Sequence, residues 1–225
     1  MPVVDLAVSP VRELNKALHG LPPNTNETAW TVQNPAGRHS IAVGIDAPIE
    51  VSIEGHVGYY CAGMNKDAQI TISGNAGVGL AENMMSGVVR LTGDASQAAG
   101  ATGCGGLLII EGNASARCGI SMKGIDIVVK GSIGPMSAFM AQTGNLVVLG
   151  DAGEALGDSI YEAKLFVRGE VKSLGADCEE KPLGDAERAI LSGLLDRAGM
   201  DASVDSFRLY GSARRLYHFH VDNAY

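Results

Sequence analysis

Four cysteines, two closely spaced histidines and one polar pair are the residues whose chemistry must be weighed first. Cys61, Cys104, Cys118 and Cys178 contain no CxxC pair. A zinc or iron–sulfur site gathers several thiolate or imidazole ligands, so this chain would need ligands from a partner. His218 and His220 stand two apart, on one face of an extended segment. Two ligands do not close a metal site, and packing or hydrogen bonding at an interface suits the pair better. Glu82 and Asn83, in GLAENMMSG, interrupt an otherwise apolar stretch. They are suited to contact with a neighbouring subunit or to capping local backbone N–H groups. No Ser–His–Asp arrangement is supported by spacing, and no GxxxxGK[ST] loop follows a strand. The residues therefore assign no catalytic, cofactor-binding or metal-binding role to this chain.

The elements that position these residues follow from a repeat. A glycine returns every 19 residues, at Gly55, Gly74, Gly93, Gly112, Gly131, Gly150 and Gly169. Four and two residues before each stands an aliphatic pair, from Val51 and Ile53 to Leu165 and Val167, fourteen positions without exception. A spacing of two is the strand period, so both members of each pair face inward. Two residues after each glycine comes a further apolar residue, from Val57 to Val171. Seven residues after it comes Ala62, Ala81, Gly100, Gly119, Ala138, Gly157 or Ala176, a column with room only for the smallest side chains.

A period of this length means stacked units that bury one another's apolar faces. The pattern predicts a parallel β-helix of seven 19-residue coils, at about 4.8 Å per layer a rod roughly 34 Å tall. Cys61 and Cys118, in one column but three layers apart, would then be roughly 14 Å from each other, too far for a disulfide or a shared metal. His56 falls at a surface turn position beside Gly55. Three residues before each glycine the side chain points outward. This column reads Ser52, Thr71, Arg90, Ile109, Val128, Val147 and Phe166. The last four make an apolar ladder that either the C-terminal segment or another subunit must cover.

Residues 1–47 read as an N-terminal cap, 48–178 as the seven-coil helix, and 179–225 as a C-terminal helix with a docking tail. Ser9 and Pro10 start a helix carrying Val11, Leu14 and Leu18, and Trp30–Val32 and Ser40–Ile45 read as strands. Leu183 to Ala198 reads as an amphipathic helix stopped by Gly199. Both helices are expected to cap the rod. The tail gathers Arg208, Tyr210, Arg214, Arg215, Tyr217, His218, Phe219, His220 and Tyr225 in a chain of net charge −8. Arg and aromatic residues dominate binding hot spots, so it is expected to dock on a partner or pack on its own rod. The acidic balance argues against nonspecific nucleic-acid binding. No apolar run is long enough for a membrane helix. The first residues lack a signal-peptide pattern and the cysteines are irregularly spaced, which predicts a reducing, cytoplasmic setting.

The repeat strings GHVGYYCAG, GNAGVGL, GDASQAAG, GNASARCG and GDAGEALG resemble the GXGXG β-helix of the glutamate synthase large subunit, over about residues 48–178. That resemblance implies an all-β fold, a right-handed parallel β-helix of seven coils with α-helical terminal caps. Longer strings, among them ATGCGGLLIIEGNASARCGISMKGIDIVVKGSIG and YGSARRLYHFHVDNAY, resemble the free-standing β-helix subunit of N-methyl-L-glutamate synthase and related complexes. The implied partners are a glutamine-amidotransferase-like subunit and an FMN and iron–sulfur synthase-like subunit. FMN and the cluster are then expected on the partner and no cofactor on this chain, which starts Met1-Pro2 without a nucleophilic cysteine. The implied role is structural, in a complex that exchanges methylamine for ammonia on glutamate. Ile109, Val128, Val147, Phe166, Arg214, Arg215, Tyr217, His218, Phe219 and His220 are the expected interface. A subunit of a formylmethanofuran dehydrogenase-type complex, which shares the motif, is the alternative. A stand-alone β-helix enzyme or carbohydrate binder is the third reading, and it lacks the outer aromatic row that it predicts.

Overall fold

The computed structural model describes residues 1–22, 24–26 and 28–216. Its centre is one sheet of eleven strands. β1 (Val3–Asp5), β2 (Ala29–Gln33), β3 (Glu50–Glu54), β4 (Gln69–Ile72), β5 (Val88–Leu91), β6 (Leu107–Ile110), β7 (Lys123–Val129), β8 (Thr143–Val148) and β9 (Lys164–Val167) pair in parallel and in sequence order. The aliphatic pairs stack in register, Val51 on Ile70 on Val89 on Leu108 on Ile127 on Leu146 on Leu165. All fourteen are buried. The column from Val57 to Val171 forms a second parallel ladder of single bridges. The chain is thus nearly all β, a right-handed parallel β-helix of about seven turns with two helices.

The glycine column owes its identity to close approach. Gly93, Gly112, Gly131, Gly150 and Gly169 each donate their N–H to the glycine carbonyl one coil below, at 2.9–3.1 Å. A Cβ at Gly150 would lie 2.6 Å from the backbone of Gly131, so no side chain fits while coils stack at strand spacing. The small-residue column is a corner in left-handed backbone, with φ of 56° at Ala62, 55° at Ala81 and 56° at Ala138. The residues two before and two after share that conformation, as at Tyr60, Met64, Ala98, Thr102, Met136 and Met140. Non-glycine residues rarely adopt it. Here the alternation aims successive N–H groups up and down the stack. Ala81 donates to Cys61 below and Asn83 to Ala101 above, both at 2.9 Å. These bonds between coils offset the local backbone cost.

Stacked coils begin earlier than the glycine period. Strand β2 pairs with β3 over five residues, Ala29 on Glu50 through Gln33 on Glu54. Ser40–Ile45 is not a strand. It is a further corner, with positive φ at Ser40, Ala42 and Gly44 and with Ser40 N–H bonded to Tyr59 O at 2.7 Å. It buries Ile41, Ala42 and Ile45, and an apolar run of this kind reads as a strand from sequence alone. The first helix, α1 (Val11–His19), follows Pro10 as expected and buries Leu14 and Leu18 against the end of the core.

The C-terminal region closes the other end. Helix α2 (Asp185–Ala198) stops at Gly199, whose φ is 70°. The strands β10 (Cys178–Lys181) and β11 (Arg208–Ser212) extend the sheet in the order β9, β11, β10, both pairings antiparallel.

Candidate functional site

The expected interface separates into three groups. The first is the outer ladder. Ile109, Val128, Val147 and Phe166 are 0–1% exposed. They form a second hydrophobic cluster with Leu191, Leu194, Leu195 and Ala198 of α2, and with Phe207 and Leu209. They are therefore not available to a partner, because the chain's own C-terminal segment covers them. Helix α2 lies on the wall of strands, and β11 and β10 occupy the sheet's end. Burial of a large aliphatic or aromatic side chain is worth about 1.5–3 kcal/mol, so four in one stripe hold the helix in place.

Polar contacts fix the helix at both ends. Lys164 Nζ bonds Glu187 Oε1 at 2.9 Å in the first turn. At the last turn Arg90 Nη2 donates to the carbonyl of Ala198 at 2.9 Å, while its Nη1 bonds Glu111 at 2.8 Å. That carbonyl carries the negative end of the helix dipole, where a cation is favoured. The bond from Lys164 holds the Glu187 carboxyl below its ordinary value.

The second group is Arg214 and Arg215. Arg214 donates to both oxygens of Glu162, at 2.8 and 2.9 Å. The backbone N–H of Arg215 bonds Asp177 Oδ1 at 2.8 Å, and Ser212 Oγ bonds Asp177 Oδ2 at 2.7 Å. Burial acts to raise the Asp177 carboxyl. Hydrogen bonds from Ser212, from the N–H groups of Arg215 and Leu216, and the Arg215 charge outweigh it and hold the carboxyl low. Residues 208–215 are thus tied to the rod and are not a free tail. Beside it lies a cleft of ≈ 440 Å³ lined by Lys164, Lys181, Glu187, Tyr210, Ser212 and Arg214. The third group, Tyr217, His218, Phe219 and His220, lies outside the described residues, as does Tyr225.

The cysteines are spread apart. Cys61 and Cys118 are buried in the core, and burial pushes both thiols up to about 12. Burial, with Asp177 and Glu179 nearby, pushes Cys178 to about 12 as well. A thiol held protonated is a poor nucleophile and ligand. Cys104 is exposed. Among the described residues no three His, Cys, Asp or Glu side chains are grouped to hold a metal. No helix among them is long and apolar enough to cross a membrane.

One constellation escaped the sequence reading. The residue after each glycine joins a ladder of side chain and backbone. The N–H of Asn75 bonds His56 Nδ1 at 2.9 Å, that of Asp94 bonds Asn75 Oδ1 at 2.9 Å, and that of Asn113 bonds Asp94 Oδ1 at 2.7 Å. The series continues through Ser132 and Asp151 to Glu170. His56, exposed as expected, is its first rung. The signal was in the sequence, because the residue after each of the seven glycines carries a polar acceptor side chain at the same 19-residue period.

No protein-family model and no solved structure gives a significant match to this chain. Protein GlxC of Rhizobium meliloti (strain 1021) is 61% identical over 225 residues, which is 100% of this chain and 99% of that protein. The chain belongs to the GlxC family. The match extends over both caps as well as the rod.

The corner face is the long surface of the rod that α2 leaves open. Tyr60, Met64 and Met140 are 48, 48 and 47% exposed there, with Ile120, Met136 and Phe139 half-buried beside them. Glu82 is half-buried on the same face, and Asn83 accepts a bond from the Thr102 hydroxyl at 2.7 Å.

Proposed function

We propose that this chain is the non-catalytic structural subunit of a glutamate-synthase-like complex, N-methyl-L-glutamate synthase. The reaction converts methylamine and L-glutamate to N-methyl-L-glutamate and ammonia. In this reading an amidotransferase-like chain and an FMN and iron–sulfur synthase-like chain carry the chemistry, and this chain holds them in register in the cytoplasm. FMN and the cluster would supply electron transfer on the partner, with no residue of this chain holding them.

The observation that carries the reading is how the polar and titratable side chains are used. The ladder from His56 to Glu170, the clamp of Arg90 and Lys164 on α2, and the Asp177 knot all bind the rod to itself. Beside that self-satisfied polar wall the rod presents a long, largely uncharged corner face, suited to docking. The segment beyond Leu216 adds aromatic and histidine side chains that suit the same task.

The test is co-expression with the two candidate partner chains, followed by native mass spectrometry and assay of N-methylglutamate formation. The three chains are expected to co-purify, and the flavin spectrum to belong to the complex and not to this chain alone. Full synthase activity without this chain, or stoichiometric flavin on the isolated chain, would overturn the proposal. Deleting residues 217–225 asks whether that segment docks. The rod should melt unchanged while assembly weakens. Unchanged assembly would remove the segment from the interface.

A further inference from the structure

The two ends of the sheet are finished differently. At the C-terminal end β10 presents Glu179, Glu180 and Lys181, and ion pairs tie Glu179 to Lys181 and to Arg215. Charges of this kind blunt an open edge against further pairing. At the N-terminal end the last strand is β1, with β2 on one side and, among the described residues, no strand on the other. Two of its three side chains, Val3 and Val4, are apolar. Met1 is 82%, Val3 58% and Val8 83% exposed, the three highest values among the described large apolar residues. All three lie within the first eight residues of the chain.

The main chain of β1 is half used. Thr31 N–H bonds Pro2 O and Leu6 N–H bonds Gln33 O, both at 2.9 Å, with Val3 and Asp5 as the bridge partners of Thr31 and Gln33. In a parallel pair this pattern turns the N–H and C=O of Val4 toward β2. It leaves the N–H and C=O of Val3, and the N–H of Asp5, on the open side. A residue whose donor and acceptor both face outward matches its own copy. Two such strands related by a two-fold axis are antiparallel, and Val3 opposite Val3 forms a hydrogen-bonded pair with two N–H···O=C bonds. In that register Asp5 of one copy lies opposite position 1 of the other, so the two carboxylates do not meet. Asp5 is also held in place within its own chain, accepting from Ala7 N–H and Asn34 Nδ2 at 2.8 Å.

We propose that β1 joins two copies of this chain edge to edge about a two-fold axis at Val3, making one sheet continuous through both rods. The occupant is a second copy because the edge complements itself in donors, in acceptors and in apolar side chains, whereas the charged far end does not complement it. Two rods joined this way leave the corner face and the α2 wall free on each copy. The inference therefore stands apart from the scaffold reading, and its test uses this chain alone.

The experiment is analytical ultracentrifugation and native mass spectrometry of the wild-type chain across micromolar concentrations, beside V3P, V3K and E180A. V3P removes the outward N–H without touching the bonds to β2, and V3K keeps that N–H while placing a charge on the edge. A wild-type dimer is expected. Its dissociation constant should rise at least about tenfold in V3P and V3K, since two hydrogen bonds of ordinary strength are lost or opposed. It should not change in E180A. Thermal melting shows that each variant is folded. A wild-type chain that stays monomeric overturns the proposal and leaves the edge to a different protein. A dimer that persists unchanged in both folded Val3 variants, or that E180A disrupts, overturns it as well.

Discussion

The wall of strands and the wall beyond the glycine turns solve the same problem in opposite ways. Both are outer columns of a stack repeating every 19 residues. On the strand wall four rungs are apolar, Ile109, Val128, Val147 and Phe166, and a separate helix must cover them. On the other wall the rungs from His56 to Glu170 are polar, and each side chain takes the N–H of the rung above. An apolar column gains stability only by removal from water, so it recruits an element from elsewhere in the chain. A polar column satisfies itself at the surface and recruits nothing. A β-helix can thus set by one residue per coil which walls stay open.

The core beneath both walls sets the scale of the comparison. Ile127→Asp buries a carboxylate among Leu108, Leu146 and their neighbours. That cost of several kcal/mol rivals the whole stability of a domain, so the rod should unfold, as circular dichroism would show. Next in size is the covered wall. Phe166→Ala should cost about 3–5 kcal/mol in denaturant melts. Hydrogen exchange should quicken in α2 before the inner strands, and if α2 stays as protected as in the wild type, the helix is not held by the ladder.

Smaller effects belong to the self-satisfied wall. Asn113→Ala removes one rung between Asp94 and Ser132, and its loss should be about 1 kcal/mol and local. A loss as large as that of Phe166→Ala would erase the distinction between the walls. The smallest effect is electrostatic. Glu187 sits below its ordinary carboxyl value through its bond to Lys164. A lowered folded value means that its contribution is present above the unfolded value and fades as pH falls through the carboxylate range. The acid sensitivity of α2 should shrink in Lys164→Met, measured as melting temperature against pH.

The inward columns were legible because each is a single residue type at a fixed spacing, and the structure buries all fourteen aliphatics. The outer ladder was legible as something that needed cover. Its cover was legible only as a choice between the C-terminal segment and another subunit, since a helix of suitable amphipathic pattern reads equally as an end cap. The structure decides for the C-terminal segment. The corners were illegible for another reason. Left-handed backbone at Tyr60, Ala98, Arg117 and Met136 falls on residues with no preference for it, imposed by hydrogen bonds to the coils above and below. The same blindness turned Ser40–Ile45 into an expected strand and hid the first stacked coil.

The sequence by itself determined the period, the inward faces and the close-packed glycine column, because those depend on residues 19 apart that must present identical surfaces to one another. Only the tertiary structure decided which segment covers the apolar wall, how the sheet ends in two antiparallel strands, and that Arg208–Ser212 belongs to the rod. These contacts join residues far apart in the chain, such as Arg90 and Ala198, 108 positions from each other. No local pattern encodes them. They are settled by which surface is left unburied once the coils have stacked.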